Sequence, residues 1–523
     1  MGVQICRIAV VSAGVLGSIG MADVSVAAWS NDPMANLPIS MAPGEQAQPK
    51  VAATADGGAY ISWFDGGAGG WDVYLQRVSA SGEVMWPAGG VLVADRSFSS
   101  TQDYGLSVDA AGHAILAFRD DRFGGVQITA ARVAPDGTLD WGSNGVQLTT
   151  GSAFVAAPKI AGGSDGGIVV AWTNDNVARV TSLDSTGATV WTNTLTDAGG
   201  LGLSPSDMHA SDAAGQTGEV ILLVVQQGGF ATPRHLMAQK FDSSGAALWG
   251  AAPVAIFTSG SLQFGNFPDF VADGAGGGVF AWYTNSPLQA FVQRLDATGA
   301  AALPVGGMTV STNTSRVRVN PSVAFDQPTQ SIYTFWVEEN SNQSQFGLYG
   351  QRINSGVRQW GPEGAAVVAL QSDQISQVRA IALDSDGVAF YTHTTSFNNQ
   401  QILGVRLNIS TSATVWTNDV STVASGVSRT AVAVSGNQAI LAWSDTRNDG
   451  NDIYAQNVNA DGSLGVSAVL GDLNGDGVVN GADLATLLTQ WGCAFPANCP
   501  ADLDNSGVVD GFDLATLLTN WTG

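Results

Sequence analysis

The sequence predicts a mainly β fold, an eight-bladed β-propeller closed by an N-terminal strand, followed by a small α-helical unit. Three observations carry this expectation. A four-strand theme recurs along the middle of the chain, three residue types return in it at fixed places, and only after residue 470 do acidic loops and helical stripes appear. The 523 residues are 45% hydrophobic and 12% charged, with 65 glycines and 15 tryptophans, a composition of short strands and tight turns that excludes disorder and a long coiled coil. Forty-four acidic residues against 20 basic ones give a net charge of -24. That charge repels a phosphate backbone or an anionic membrane, so a nucleic-acid partner is not expected.

In chain order, the first segment reads "MGVQICRIAVVSAGVLGSIGMADVSVAA". One positive charge at Arg7, an apolar run and small residues are the order of a secretory signal peptide over residues 1–28, with cleavage after Ala27 or Ala28. The run from Ile8 to Ile19 is too short and glycine-rich to span a bilayer, and no other segment approaches the roughly 20 apolar residues a membrane span needs. The expectation is a secreted protein, extracellular or at the cell surface. Cys6 would leave with the signal, and in an exported chain the remaining pair, Cys493 and Cys499, is expected to form a disulfide.

Residues 29–470 form the repeat domain. Its fullest copy is "PKVAATADGGAYISWFDGGAGGWDVYLQRVSASGEVMWPAGGVLVAD", four strands separated by turns. An aromatic closes the second strand at Trp63, Phe118, Trp172, Trp282, Trp336, Tyr391 and Trp443, about 54 residues apart with one double-length gap where "EVILLVVQQ" stands instead. A basic residue ends the third strand at Arg77, Arg132, Lys240, Arg294, Arg352 and Arg406, with Asn457 in the last copy. A tryptophan opens the fourth strand at Trp86, Trp141, Trp191, Trp249, Trp360 and Trp416, and Leu303 stands in the copy lacking one. Four-stranded units at this period are propeller blades. Eight copies start near residues 49, 106, 160, 208, 270, 323, 381 and 432. The eighth lacks its tryptophan and last strand, and "AAWSNDPMANLPIS" supplies both, with Trp29 in register, so the N-terminal strand would close the ring and remove two aggregation-prone edges. A seven-bladed ring with one copy outside it, or a sandwich array, is the alternative.

Residues that recur in every blade are read as packing between blades rather than as sugar-stacking platforms. The basic register is expected to bond neighbouring blades or loop aspartates such as Asp65, Asp120 or Asp445. The turn around Asp242, with relatives at Asp184 and Asp136, resembles the aspartate box of sialidase propellers with a spacing different by at least one residue; in that family the box is a structural hairpin. The four histidines, His113, His209, His235 and His393, share no register. No metalloprotease, nucleophile-elbow or phosphate-loop motif occurs. Adjacent Glu338 and Glu339 are read as loop or rim residues. The catalytic residues of the chain, if it has any, are therefore unknown from sequence.

Residues 471–523 carry the most specific signal. "DLNGDGVVNGAD" places Asp472, Asn474, Asp476, Asn480 and Asp483 at loop positions 1, 3, 5, 9 and 12, with Gly477 at the turn and the Val478 carbonyl at position 7. The second copy supplies Asp502, Asp504, Ser506, the Val508 carbonyl, Asp510 and Asp513, turning at Gly507. Calcium takes six to eight such oxygens, so two Ca2+ ions are expected. After each loop, "DLATLLTQW" and "DLATLLTNW" form helical stripes in which Leu484, Leu487, Leu488 and Trp491 should face Leu514, Leu517, Leu518 and Trp521. This duplicated loop-helix unit, lacking the entering helix of an ordinary EF-hand, resembles the type I dockerin. The resemblance implies attachment to a cohesin-like or cell-surface protein, often in polysaccharide breakdown, through positions 10 and 11 of each loop: Gly481 with Ala482, and Gly511 with Phe512. The family often has a hydroxyl residue there, and this chain does not.

The whole reads as a secreted propeller that binds a glycan or a protein and is displayed through a calcium-dependent dockerin-like module. The alternative is a propeller glycoside hydrolase or polysaccharide lyase acting in polysaccharide catabolism and recruited by the same module. On both readings a polysaccharide is a candidate ligand of the ring, and on the first a protein is the other.

Overall fold

The computed structural model describes residues 28–67, 69–101, 103–211, 218–229, 231–396, 398–466, 470–473, 479–494, 499–504 and 506–522. The expected signal peptide, through residue 27, lies outside them. Strands arise where the sequence alternates β-branched and aromatic residues between glycine turns. They form eight antiparallel sheets, each a blade of four strands in sequential order, with an added strand Ala365–Gln371 in the sixth. Blade 1 runs Gln46–Ala53, Ala59–Asp65, Asp72–Val78 and Val91–Ala94, and blades 2 to 8 begin at Gly105, Val155, Gly202, Phe270, Val317, Gln374 and Val427.

Blade 8 takes its fourth strand from the start of the chain: Leu37–Ser40 pairs with Asp452–Asn459, Leu37 opposite Ala455. Eight apolar clusters lie between consecutive blades, and the one joining blade 8 to blade 1 holds Trp29, Leu37 and Ile39 with Ile61, Trp63, Ile440 and Ile453. The ring is closed, with eight blades. A sheet with two apolar faces needs a neighbour on each side, and closure supplies both.

The first strands of neighbouring blades touch and line the middle. Six of them carry a β-bulge against the second strand, at Ala47/Lys50, Ala156/Lys159, Pro205/Asp207, Val319/Ser322, Ser376/Arg379 and Ser428/Ala431. In five the bulge holds a non-glycine residue in the left-handed region, from φ 48° at Ala157 to 58° at Arg429. Such strain persists where the surroundings over-determine it, and two of the bulges are stitched to the next blade through a glutamine side chain. Gln48 donates to the Thr101 carbonyl at 2.7 Å, and Gln377 both donates to Val427 and accepts from Thr430.

The tail holds α1 (Gly481–Thr489) and α2 (Gly511–Thr519), each entered through a capping box. Asn480 and Asp510 are the N-caps, and Asp483 and Asp513 at N3 reach back to the cap N–H. Val479, Leu487, Ala501, Val509 and Leu517 form the small core. Cys493 and Cys499 are disulfide-bonded, with Cα atoms 5.8 Å apart, and both pack against that core.

Candidate functional site

The recurring tryptophans are absorbed by the ring. The indole N–H of Trp86 donates 3.0 Å to the Pro135 carbonyl in the next blade, and Trp141, Trp191, Trp249, Trp360 and Trp416 do the same to Ser185, Ser243, Ala297, Ile409 and Ala460. Trp29 completes the circle by donating to Ala80 of blade 1 at 3.0 Å. Each acceptor is the second residue of the turn after the third strand. In blade 4 that turn is Asp242–Gly245, where a Cβ on Gly245, at φ +85°, would fall 2.6 Å from the Trp191 ring, so glycine is required on both counts. Leu303 stands where the facing turn is a two-residue hairpin, Ser355 and Gly356, whose flanking Asn354 and Val357 pair with one another. No turn carbonyl is offered there to an indole. The Asp242 turn is a hairpin as expected: its Oδ1 accepts from the N–H groups of Ser244 and Ala246, both at 2.9 Å.

The basic register is also structural: bonds to the next blade occur as expected, while the aspartates are not the ones expected. Arg77 bonds Asp56 and the Pro135 carbonyl; Arg132 bonds Asp109; Arg294 bonds Asp273; Arg406 bonds Asp386 and the Ala460 carbonyl. Asp65, Asp120 and Asp445 are not the partners. The antiparallel register sets Arg77 opposite Tyr60, near the start of the second strand, whereas Asp65 ends that strand opposite Asp72. Asp120 and Asp445 instead hold Arg122 and Arg447. The glutamine before the basic residue locks the tryptophan turn: Gln239 Oε1 accepts from Trp249 N–H at 3.2 Å while its amide donates to Gly250.

Glu338 and Glu339 are not loop residues. They end the strand Ser331–Glu339 and are buried. Glu338 lies 3.0 Å from Arg318 Nε and accepts from the Trp336 indole at 2.7 Å, and burial raises its carboxyl above the usual range despite these partners. The histidines are dispersed: His113 sits with Arg132 and Asp140, His209 with Asp207, His235 with Gln226 and His393 with Asp373.

Sequence reasoning missed the charges inside the ring. Asp103, just before blade 2, is bridged by Lys50 of blade 1 at 2.9 Å and by Lys159 of blade 3. Burial alone would raise Asp103, but the two ammonium groups hold it far below the usual carboxylate range. Burial would likewise depress Lys159, yet Asp103 and Asp207 hold it above its ordinary value. The signal was present in "QPK", "APK" and "SPSD", where a proline marks the bulge beside a charge. A second omission is Asp452. At the start of the third strand Asp72, Gln127 and Gln289 each tie down the crossing to the next blade. Asp452 in blade 8 is fully buried and ties down no such crossing among the described residues. Burial pushes it up to about 6, Asp449 adds to the rise, and Asn448 and Arg447 offset part of it.

In the tail, the second loop is described nearly throughout. Carboxylate oxygens of Asp502, Asp504 and Asp513 lie within 4.8 Å of one another. Two oxygens each about 2.4 Å from one calcium ion are separated by at most about 4.8 Å, so this convergence fits a shared ion. Ser506 and Gly507 N–H groups bond Asp502, and Gly507 turns the loop at φ +93°. Burial tends to raise Asp513, but the N–H groups of Asp510, Asp504 and Leu503 outweigh it and hold the carboxyl below its ordinary value. Segment 471–523 contains seven aspartates and no Lys, Arg or His, so no side chain of its own can neutralise them. The first loop repeats the frame. Leu473 N–H donates to Asp483 at 2.8 Å as Leu503 does to Asp513 at 2.6 Å, and Asn480 caps α1 as Asp510 caps α2. Asp472 is described; Asn474, Asp476, Gly477 and Val478 lie outside the described residues.

The two helices do not bury their whole stripes against each other. Leu484, Leu487, Leu514 and Leu517 pack inside, while Leu488, Trp491, Leu518 and Trp521 are exposed, at 53%, 49%, 52% and 39%. In a nine-residue helix only one side can meet a partner of the same length, and the residues at the far edge of the stripe turn outward. Gly481, Ala482, Gly511 and Phe512 are exposed as well, Phe512 at 73%.

No family model matches the sequence, and no curated protein matches it. Among solved structures, the Dos1 propeller is 12% identical with a TM-score of 0.47, covering 81% of this chain and 95% of that one. The polysaccharide lyase Uly1 is 9% identical with a TM-score of 0.42, covering 80% and 91%. An α-L-arabinanase of Penicillium chrysogenum is 11% identical with a TM-score of 0.33, covering 57% and 92%. Likeness at this level carries no argument about activity.

Proposed function

We propose that the chain is a secreted binding protein whose propeller recognises a glycan and whose C-terminal unit, a dockerin-like module holding two calcium ions, attaches it to a cohesin-like or cell-surface protein. The observation that carries the attachment reading is the outward display of Leu488, Trp491, Phe512, Leu518 and Trp521 by a unit too small to spare apolar side chains from its own core. In the first loop Asp472, Asn474, Asp476, Asn480, Asp483 and the Val478 carbonyl would hold one ion. In the second, Asp502, Asp504, Ser506, Asp510, Asp513 and the Val508 carbonyl would hold the other. Bound calcium supplies the positive charge that the clustered carboxylates need in order to share a site.

Binding is preferred to catalysis because four of the buried acids of the blades are held in ion pairs. Glu338, Asp109, Asp273 and Asp386 each pair with an arginine of the same blade. A glycoside hydrolase needs two carboxyl groups facing one bond across about 5–10 Å. The test incubates the full chain with a panel of polysaccharides and measures both retention on immobilised glycan and the release of reducing ends or unsaturated products. Retention without products is expected. Turnover that disappears on replacing one ring carboxylate would instead establish the hydrolase or lyase reading.

A further inference from the structure

The blades differ in what covers the aromatic that closes the second strand. Directly across the sheet, Trp63 faces Tyr74, Trp282 faces Phe291, Trp336 faces Tyr349 and Trp443 faces Tyr454. The first two pairs stack with ring centroids 5.8 Å apart. Phe118, Val224 and Tyr391 face Thr129, Met237 and Leu403. Only in blade 3 is the partner charged: Trp172 faces Arg179. A second difference compounds this one. In blades 1, 5 and 6 a glycine before the fourth strand, Gly90, Gly307 or Gly364, lies close against the tryptophan ring edge. Blade 3 has no such loop; its fourth strand, Thr189–Leu195, pairs along its length with the third.

With both covers missing, a pocket of about 280 Å³ opens above Trp172, between blade 3 and the last strand of blade 2. Its walls carry Thr181 and Thr192 on one side and Gln147 and Thr149 on the other. Arg179 makes one hydrogen bond, to Thr194 Oγ1 at 2.7 Å, and has no carboxylate partner among the described residues. No Asp or Glu lines the pocket, although the chain carries a net charge of -24. An uncompensated guanidinium in an acid-free pocket asks for an anion, and its planar fork suits a carboxylate. Hydroxyl and amide walls suit the hydroxyl groups of a pyranose ring, and the narrow edge of indole that Trp172, 4% exposed, leaves at the base suits its apolar side. The volume lies just below the roughly 300 Å³ at which cavities for whole ligands begin, so one ring of a longer chain is accommodated.

We propose that this pocket between blades 2 and 3 binds a uronic-acid residue of an acidic polysaccharide, with Arg179 gripping the carboxylate over Trp172. The inference rests on the glycan-binding reading above and names its ligand class and site. The uronate carboxylate accepts from Arg179, and the threonine and glutamine side chains exchange hydrogen bonds with the ring hydroxyls.

The test uses the full chain in isothermal titration calorimetry with a hexuronate tetrasaccharide and a neutral glucan tetrasaccharide as probes. Arg179→Gln removes the charge, and Arg179→Tyr restores the aromatic cover that blade 1 has. Wild type is expected to bind the uronate probe at least tenfold more tightly than the neutral one. Both variants are expected to lose at least tenfold in uronate affinity, while Arg179→Tyr melts no lower than wild type. Unchanged uronate affinity in both variants, or equal affinity for the two probes, would overturn the proposal. Retention on another glycan that survives Arg179→Tyr would remove this site and leave the binding reading standing; retention on none would remove both.

Discussion

At the scale of single residues, the indole hydrogen bonds explain why one residue type returns around the ring. Trp249 fills the seam to blade 5 and donates to the Ala297 carbonyl, so its two contributions can be separated. Trp249→Phe keeps most of the packing and should cost about 1 kcal/mol for the lost hydrogen bond. Trp249→Ala should cost about 3–5 kcal/mol, and urea denaturation of both variants measures the difference. Asp452 gives a prediction with the opposite sign. Its folded pKa, about 6, lies above the unfolded value, so its contribution is favourable at low pH and is lost as pH rises through 6. Asp452→Asn should therefore raise stability by about 2–3 kcal/mol at pH 8 and by almost nothing near pH 3, read from denaturation midpoints at the two pH values. Asp103 behaves conversely. Its depressed carboxyl stabilises the fold above about pH 4 and loses that effect as pH falls further, so the deficit of Asp103→Asn at pH 7 should shrink in acid. The tryptophans and the basic residues were legible because repetition exposes a register. Lys50, Asp103 and Lys159 were not, because they are far apart in sequence and meet only when blades 1 to 3 pack side by side. The pocket cation Arg179 could have been found by aligning it with Tyr74, Phe291 and Tyr349.

At the scale of elements, spacing specified the strands, their turns and the two C-terminal helices, whereas the periodic stripe did not say which of its residues would be covered. Helices α1 and α2 have the same burial pattern residue for residue, a consequence of duplicated sequence folding into duplicated contacts. Their core is small enough that cross-links matter. Replacing Cys493 and Cys499 by serine should cost the unit about 2 kcal/mol, the loop-closure entropy of so short a ring. Protease sensitivity of the region after residue 470, followed by mass spectrometry, would show the loss there first. The bulges in the inner strands leave no trace in hydrophobic alternation, since an extra residue with positive φ such as Gln48 or Asn320 does not disturb it, and only the neighbouring prolines mark their place.

At the scale of the whole molecule, closure depends on thirteen residues that sequence places far from the blade they complete. A chain lacking residues 28–40 would expose the edge of Asp452–Asn459 and strip Trp29, Leu37 and Ile39 from the seam between blades 8 and 1. The expected cost is on the order of 5 kcal/mol from lost apolar burial, with aggregation at the bared edge, seen as an earlier and less reversible melt. Ring and tail are stabilised by different means, one by blade packing and the other, on the reading proposed above, by calcium. Differential scanning calorimetry of the full chain with calcium and with a chelator tests that division most directly. Two transitions are predicted, the smaller moving to higher temperature with calcium while the larger stays in place. A single transition shifting as a whole, or two that ignore the ion, would contradict it.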